Sequence, residues 1–244
     1  AGGYGNSNDV KVDYVIDPAL CEGYNINGAA IDVMPSNYYE VQNPNQFTIA
    51  SGQLLGGVKV KLTNDFFEDP KSWESGYVIP VKLTKAEGVS KILSGKDMTF
   101  YRVKFVNPWT ATYLRKGKDV INGTETHRCF QYVEKAELIK VVTKGLNKSQ
   151  VTVAFKDAAG KAHNVDLLLT FNGDDCTISS NTDGVEVSGS GKFVKKDQLM
   201  GEFKRNTLYL NYNVKSADLG TIETTDTMVV RNRGIEFKTF VPKK

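Results

Sequence analysis

The sequence predicts an all-β protein of two modules: an Ig-like β-sandwich over residues 1–107 and a second, β-meander domain over residues 108–244, which is barrel-like (calycin-like) or another sandwich. Three observations predict it. About a dozen short segments alternate apolar and polar residues with period 2, the repeat of a half-buried strand. A repeat of 3.6 residues is almost absent. Gly, Asn, Asp and Pro cluster between the segments, where turns need them.

Taken in order, Val10, Val12 and Tyr14 alternate with Lys11 and Asp13. Ala29–Val33 is a short candidate stopped by Met34-Pro35, and Phe47-Thr48-Ile49 leads into a turn at Ser51-Gly52. Val58–Thr63 alternates cleanly. Tyr77–Leu83 is a further strand, in which Pro80 points to an edge or a bulge. Thr99–Val106 closes the first module, and a helical turn fits only at Ala86–Leu93 or Pro70–Ser75. A proline after a finished strand makes Val106–Trp109 the hinge, followed by a polar stretch through Lys116 and Gly123. In the second module Val133–Val142 reads as a long strand or a short helix. Strands then follow at Val151–Phe155, His163–Phe171, Cys176–Ser179, Val185–Val194, Thr207–Val214, Thr221–Arg231 and Ile235–Val241. Seven or eight consecutive strands with short turns are a meander that closes as a barrel or folds into a sandwich. Leu208, Leu210, Tyr212 and Val214 face a core, with Tyr209, Asn211 and Asn213 on the opposite, polar side.

The chain of 244 residues is 40% hydrophobic and 24% charged, a globular composition. No apolar run approaches the ~20 residues of a membrane-spanning helix. A net charge of +3 gives no ground for a nucleic-acid partner or an anionic membrane surface. Residues 1–106 carry 10 Lys+Arg against 12 Asp+Glu, and residues 107–244 carry 21 against 16, so the two modules differ in surface charge. Lys195-Lys196 and Lys204-Arg205 are the strong internal basic pairs, expected on solvated turns. Cys21, Cys129 and Cys176 lack any zinc spacing. Three buried thiols are expected, or else one disulfide and a free thiol. The chain opens on Ala1 without Met, as a processed or truncated product would, and its small polar start is expected to fray.

No residues are assigned to catalysis, metal or cofactor. His127 and His163 sit in a polar loop and at a strand start, with no nucleophile elbow, nucleotide loop or His-Glu-x-x-His pattern nearby. Gly189-Ser190-Gly191 lies inside a strand, as a bulge or tight bend. Asn64-Asp65 with Glu68-Asp69 offers oxygen ligands without a calcium-loop spacing. Asp174-Asp175, Glu68-Asp69 and Asp13-Asp17 keep a carboxylate glycosidase as a third reading.

Aromatic residues are the enriched resource, because sugar rings stack on Trp and Tyr faces. Trp73, Tyr38, Tyr39 and Trp109 are the candidate ligand-binding residues, with Trp73 as anchor in the long connection between two strands. The competing reading has Trp73 cover the open end of the sandwich.

Several segments resemble a known family. Val12-Asp13-Tyr14, Asp17-Pro18-Ala19-Leu20, Met34-Pro35-Ser36-Asn37-Tyr38-Tyr39 and Tyr77-Val78-Ile79-Pro80-Val81 are similar to the uncharacterised N-terminal β-sandwich module of Bacteroidetes surface lipoproteins, often encoded in polysaccharide-utilisation loci. Leu167–Phe171, Cys176–Ser180, Gly189–Val194 and Thr225–Gly234 resemble the uncharacterised C-terminal module that accompanies it. Relatives usually carry a lipoprotein signal and another strand upstream. The missing His dyad, metal spacing and nucleotide loop predict a non-catalytic protein, and the resemblance implies an outer-membrane lipoprotein at the cell surface, lipid-anchored through upstream residues. It further implies that the protein binds a polysaccharide or oligosaccharide, or alternatively is an adhesin or structural subunit with a surface protein partner. No cofactor is implied.

Overall fold

The structure is a computed structural model that describes residues 6–129, 133–237 and 239–244. Of the opening expected to fray, Ala1–Asn8, residues 1–5 lie outside these, while the Asn6 carbonyl accepts the Gly52 N–H at 2.8 Å and the Ser7 carbonyl accepts the Ser51 hydroxyl at 3.0 Å. The chain forms two compact units: one runs to Phe105 and includes the terminal residues 239–244, and the other is Val106–Phe237. Asn25 and Lys243 form a β-bridge, so the last residues belong to the first unit and not to the 108–244 module expected from the sequence.

The first unit contains β1 (Val10–Ile16), β2 (Asn25–Ile26), β3 (Ala29–Ala30), β4 (Tyr39–Val41), β5 (Gln46–Ile49), β6 (Val60–Leu62), two short helices α1 (Asn64–Glu68) and α2 (Pro70–Glu74), β7 (Tyr77–Ala86) and β8 (Met98–Val103). An antiparallel sheet of order β5-β1-β7-β8 packs on the β4–β6 ladder and α1. Met34, Phe66, Tyr77 and Ile79 form the centre of that contact, with Tyr39, Leu62 and Phe67 around it. Helix α2 starts where the sequence provides both signals for one. The Asp69 carboxylate accepts the Lys71 N–H at 2.9 Å, and Pro70 takes the first helical position, where no N–H is needed.

Pro80 is not at an edge: β7 lies between β1 and β8. On one side β7 first meets the Asp32–Met34 segment, through the Val33–Val78 bridge, and only from Val81 onward the β1 ladder. Pro80 falls in the gap between these partners, where its missing N–H leaves no ladder bond unmade. The helical turn allowed at Ala86–Leu93 does not form. Of the predicted Ala29–Val33 strand only Ala29–Ala30 pairs, with the bridge at Val33 beyond it.

The second unit contains β9 (Ala111–Ile121), β10 (Thr124–Arg128), β11 (Glu137–Thr143), β12 (Lys148–Lys156), β13 (Ala162–Asn172), β14 (Asp175–Ser180), β15 (Val185–Met200), β16 (Phe203–Ser216) and β17 (Gly220–Asn232). Consecutive strands pair antiparallel from β11 to β17. β17 then pairs with β9, and β9 with β11, which closes an eight-stranded barrel. Closure gives every strand two neighbours and removes the exposed edges of an open sheet. β10 folds back as a hairpin on β9. The barrel is filled, not hollow. Val151, Val153, Leu167, Leu169, Leu208, Leu210, Ile222 and Met228 are all at most 1% exposed in its core. Burying each such side chain contributes about 1.5–3 kcal/mol.

Two expectations fail here. The polar stretch after the hinge is strand β9, which makes the closing contact of the barrel. It carries no apolar alternation because two of its inward residues, Arg115 and Asp119, are charged and paired inside the barrel, Arg115 with Asp226 and Asp119 with Arg128. Ile235–Val241 forms no strand among the described residues, because β17 ends at Asn232 and its barrel neighbours are already supplied.

Candidate functional site

The four aromatic candidates are not brought together into one site. Trp109 is 9% exposed and stacks on Phe171 with ring centroids 3.8 Å apart at 6°, and its carbonyl accepts the Tyr113 hydroxyl at 2.7 Å. It closes the barrel core and presents no platform. Tyr38 and Tyr39 are half-buried and pack at the margin of the first unit's core. Trp73 is half-buried on α2.

Tyr38 instead belongs to a polar cluster centred on Asp69. That carboxylate accepts the Tyr38 hydroxyl at 2.9 Å, the Tyr77 hydroxyl and the Lys71 N–H, while the Lys71 ammonium bonds Asp32 at 2.8 Å. The Tyr77 hydroxyl, then the Lys71 N–H and the Tyr38 hydroxyl, hold Asp69 below the ordinary carboxylate range in spite of its partial burial. Asp65, another carboxylate of the expected oxygen cluster, accepts from Asn37 at 2.9 Å. These groups are occupied in fixing α1 and α2. No group of three or more His, Cys, Asp or Glu suited to a metal occurs among the described residues.

The barrel interior carries a second polar cluster. Arg115 and Asp226, with side chains 1% and 0% exposed, pair at 2.9 Å. Arg115 also bonds Glu137 at 3.1 Å and the Tyr212 hydroxyl at 3.2 Å, and that hydroxyl donates to Asp226 at 2.9 Å. Arg128 reaches in from β10 to the other Asp226 oxygen at 2.5 Å and to Asp119, and Thr224 donates to Asp119 at 2.8 Å. Burial pushes the Tyr212 phenol up, with Asp226 adding to it. Arg128 passes Gly117, where an added Cβ would lie 2.7 Å from an Asp226 carboxylate oxygen and 2.0 Å from the Thr225 carbonyl. The Arg115–Asp226 centre of the cluster is buried, Glu137 reaches it from the half-exposed margin, and the paired charges hold β9, β10, β11, β16 and β17 in register.

The open site lies on the outer wall. Outward-facing residues of four adjacent strands line up in two cross-strand rows. Lys118, Thr225, Asn211 and Ser190 form one row, and Val120, Glu223, Asn213 and Ser188 the next. They line a groove of about 400 Å³ whose floor is the backbone at Gly189, Tyr212 and Thr224. A Cβ on Gly189 would sit 2.5 Å from the Tyr212 Cβ, so glycine is what lets β15 approach β16 this closely. With strands ~4.8 Å apart, each row spans about 14 Å. Ser188, Ser190, Asn211, Asn213, Glu223 and Thr225 are exposed. None of the six makes a side-chain hydrogen bond with another described residue, which leaves a lattice of hydroxyl, amide and carboxylate groups open to a ligand. One step along β16 from Asn211, the half-buried Tyr209 is held by the Asp197 carboxylate and by the Gln198 amide at 2.8 Å.

Sequence reasoning saw Tyr209, Asn211 and Asn213 as a polar face but did not make them a site. The available signal was the kind of polar residue. Ser, Thr and Asn repeat on three successive strands where Lys and Glu are commoner on a solvated face. Gly189 and Gly191 do not form the bulge or bend that the sequence suggests. They keep regular register opposite Tyr212 and Leu210, and the β15 irregularity falls later, between Val194 and Gln198.

Both histidines are paired with carboxylates: His163 with Asp157 at 2.8 Å and with Asp218 at 3.8 Å, and His127 with Glu125. All three cysteines are free thiols, with Cys21 and Cys176 buried and Cys129 half-buried. Burial pushes the Cys176 thiol up to about 12, out of reach of nucleophilic chemistry at neutral pH.

Fold and surface together define a two-unit β protein with a filled, closed barrel whose open polar groups lie outside it. Residues 108–234 match the model of a domain of unknown function, DUF5627, and the chain belongs to that family. Residues 1–90 match a second family model described as an N-terminal domain. A crystal structure at 2.40 Å of a structural-genomics protein of unknown function from Bacteroides ovatus is 33% identical, covers 100% of this chain and 86% of its own, and superposes with a TM-score of 0.88. No curated protein matches.

Proposed function

We propose that the chain is a non-catalytic binding protein for a polysaccharide or oligosaccharide, acting at the surface of a Bacteroidetes cell as part of a lipid-anchored outer-membrane protein. The observation that carries the reading is the outer-wall groove. Its two rows of hydroxyl and amide groups are not engaged with the protein, and such groups pair with the hydroxyls of a sugar chain as water does. The groove's length suits several linked rings, and Tyr209 beside it supplies an aromatic edge. Native affinity electrophoresis against a panel of soluble polysaccharides tests it. Retardation by at least one is expected, and the Asn211→Ala/Asn213→Ala pair should weaken it about 10- to 100-fold, since each lost hydrogen bond is worth ~0.5–1.5 kcal/mol. The melting temperature should not change. Release of soluble oligosaccharides from the same panel would make the protein an enzyme and overturn the non-catalytic part.

One observation favours a second reading, an adhesin or structural subunit with a protein partner. The outer edge of β8 has no ladder partner among the described residues, and Tyr101 on it is 57% exposed. An unpaired edge accepts a strand from another chain. Strong binding of an extended peptide, with no retardation by any polysaccharide, would favour this alternative.

A further inference from the structure

The β15–β16 hairpin runs beyond the barrel. β14 pairs with β15 only up to Lys192, and β17 pairs with β16 only from Thr207. Residues 195–206 are therefore a two-stranded ribbon with no ladder partner but itself among the described residues, joined through the pairs Gln198–Arg205, Leu199–Lys204 and Met200–Phe203. Such a ribbon is marginal alone in water. This one is braced at its base: Asp197 and Gln198 hold the Tyr209 hydroxyl, and the Lys196 N–H donates to the Asn206 side chain at 3.1 Å. Near its tip it exposes two large apolar side chains, Leu199 at 60% and Phe203 at 67%. The basic pairs Lys195-Lys196 and Lys204-Arg205, one on each strand of the hairpin, meet on this ribbon. The three lysines are exposed, and the Arg205 guanidinium lies 5.9 Å over the Phe203 ring. Against them stand Glu202 in the turn and Asp197, which is tied to Tyr209.

We propose that this hairpin tip docks on an anionic lipid surface, with Leu199 and Phe203 entering the headgroup–acyl boundary and Lys195, Lys196, Lys204 and Arg205 facing lipid phosphates. Apolar side chains ringed by cations are the two complementary signals that interfacial binding needs. Long basic side chains keep their stems against apolar surroundings and their charges at the phosphates. The shape argues against a protein partner. Two side chains on a ribbon fall far short of the ~800 Å² per partner of a stable protein interface, whereas a lipid surface yields around a narrow tip. The chain's overall charge of +3 gives no hint of this, because the cations are concentrated on one projection.

The test is co-sedimentation of the whole chain with vesicles of phosphatidylglycerol and phosphatidylcholine, compared with phosphatidylcholine alone. Binding to the anionic vesicles is expected to be at least tenfold stronger and to fall away at about 0.5 M salt, where screening shortens the range of charge attraction. Leu199→Ser/Phe203→Ser is expected to lower the partition at least tenfold. Lys195→Glu/Lys204→Glu is expected to do so as well. Neither pair should shift the melting temperature, because all four residues are exposed. A Phe203→Trp variant should shift its emission to the blue on anionic vesicles only. Absence of co-sedimentation, or equal binding by the Leu199/Phe203 pair variant, would overturn the proposal. So would a concentration-dependent dimer that this pair variant abolishes, since the tip would then contact a second copy of the chain.

Discussion

Two aspartates do the most to fix local structure, and each makes a prediction. Asp226 compensates two arginines inside the barrel. Asp226→Asn leaves Arg115 with only the half-exposed Glu137 as charge partner and is expected to cost ~3–5 kcal/mol by chemical denaturation. Arg115→Met leaves Asp226 with Arg128 and the Tyr212 hydroxyl as partners and should cost less. Asp69 caps α2 and accepts two tyrosine hydroxyls, so Asp69→Asn is expected to cost ~1–2 kcal/mol. The sign with pH follows from its lowered value in the fold. The stabilisation is complete above the unfolded-chain value of ~3.9 and is lost as pH falls through the folded value. The gap between wild type and Asp69→Asn should thus be widest near neutrality and close below pH ~4, as read by denaturation at a series of pH values. At this scale the sequence misleads about aromatics. Trp109, a candidate for ligand contact, is a core stack on Phe171, because a partner 62 positions later on β13 cannot be seen from its neighbours.

The elements were the most legible part of the chain. Period-2 alternation marked β1, β12, β13, β16 and β17, because one face of each meets an apolar core. β9 escaped for the same reason in reverse: its inward positions Arg115, Gly117 and Asp119 serve a buried charge cluster and a close approach to β17, which look like a linker in one dimension. Pro80 misled because its position was judged against whole strands, whereas what matters is the single N–H site where β7 changes partner. The groove was half legible. The polar side of β16 was visible, but Ser188 and Ser190 join Asn211 and Asn213 only through a register that a lone strand does not encode. The basic pairs of the hairpin look like solvated turns in one dimension, and their convergence depends on the same register.

At the scale of the molecule, the aromatic candidates of the first unit are half-buried, with Tyr38 tied to Asp69, while the second unit combines a closed barrel with a groove of unengaged hydroxyls and amides. Rigidity matters for such a site, because groups already fixed by the sheet lose little freedom when a sugar chain binds. The measurement that tests this most directly is a titration of the isotope-labelled chain, followed by backbone amide resonances, with an oligosaccharide cut from whichever polysaccharide retards the protein. The account predicts that the shifted amides cluster at residues 188–190, 211–213 and 223–225. Shifts confined to Trp73, Tyr38 and Tyr39, or no shifts with any oligosaccharide of the panel, would contradict it.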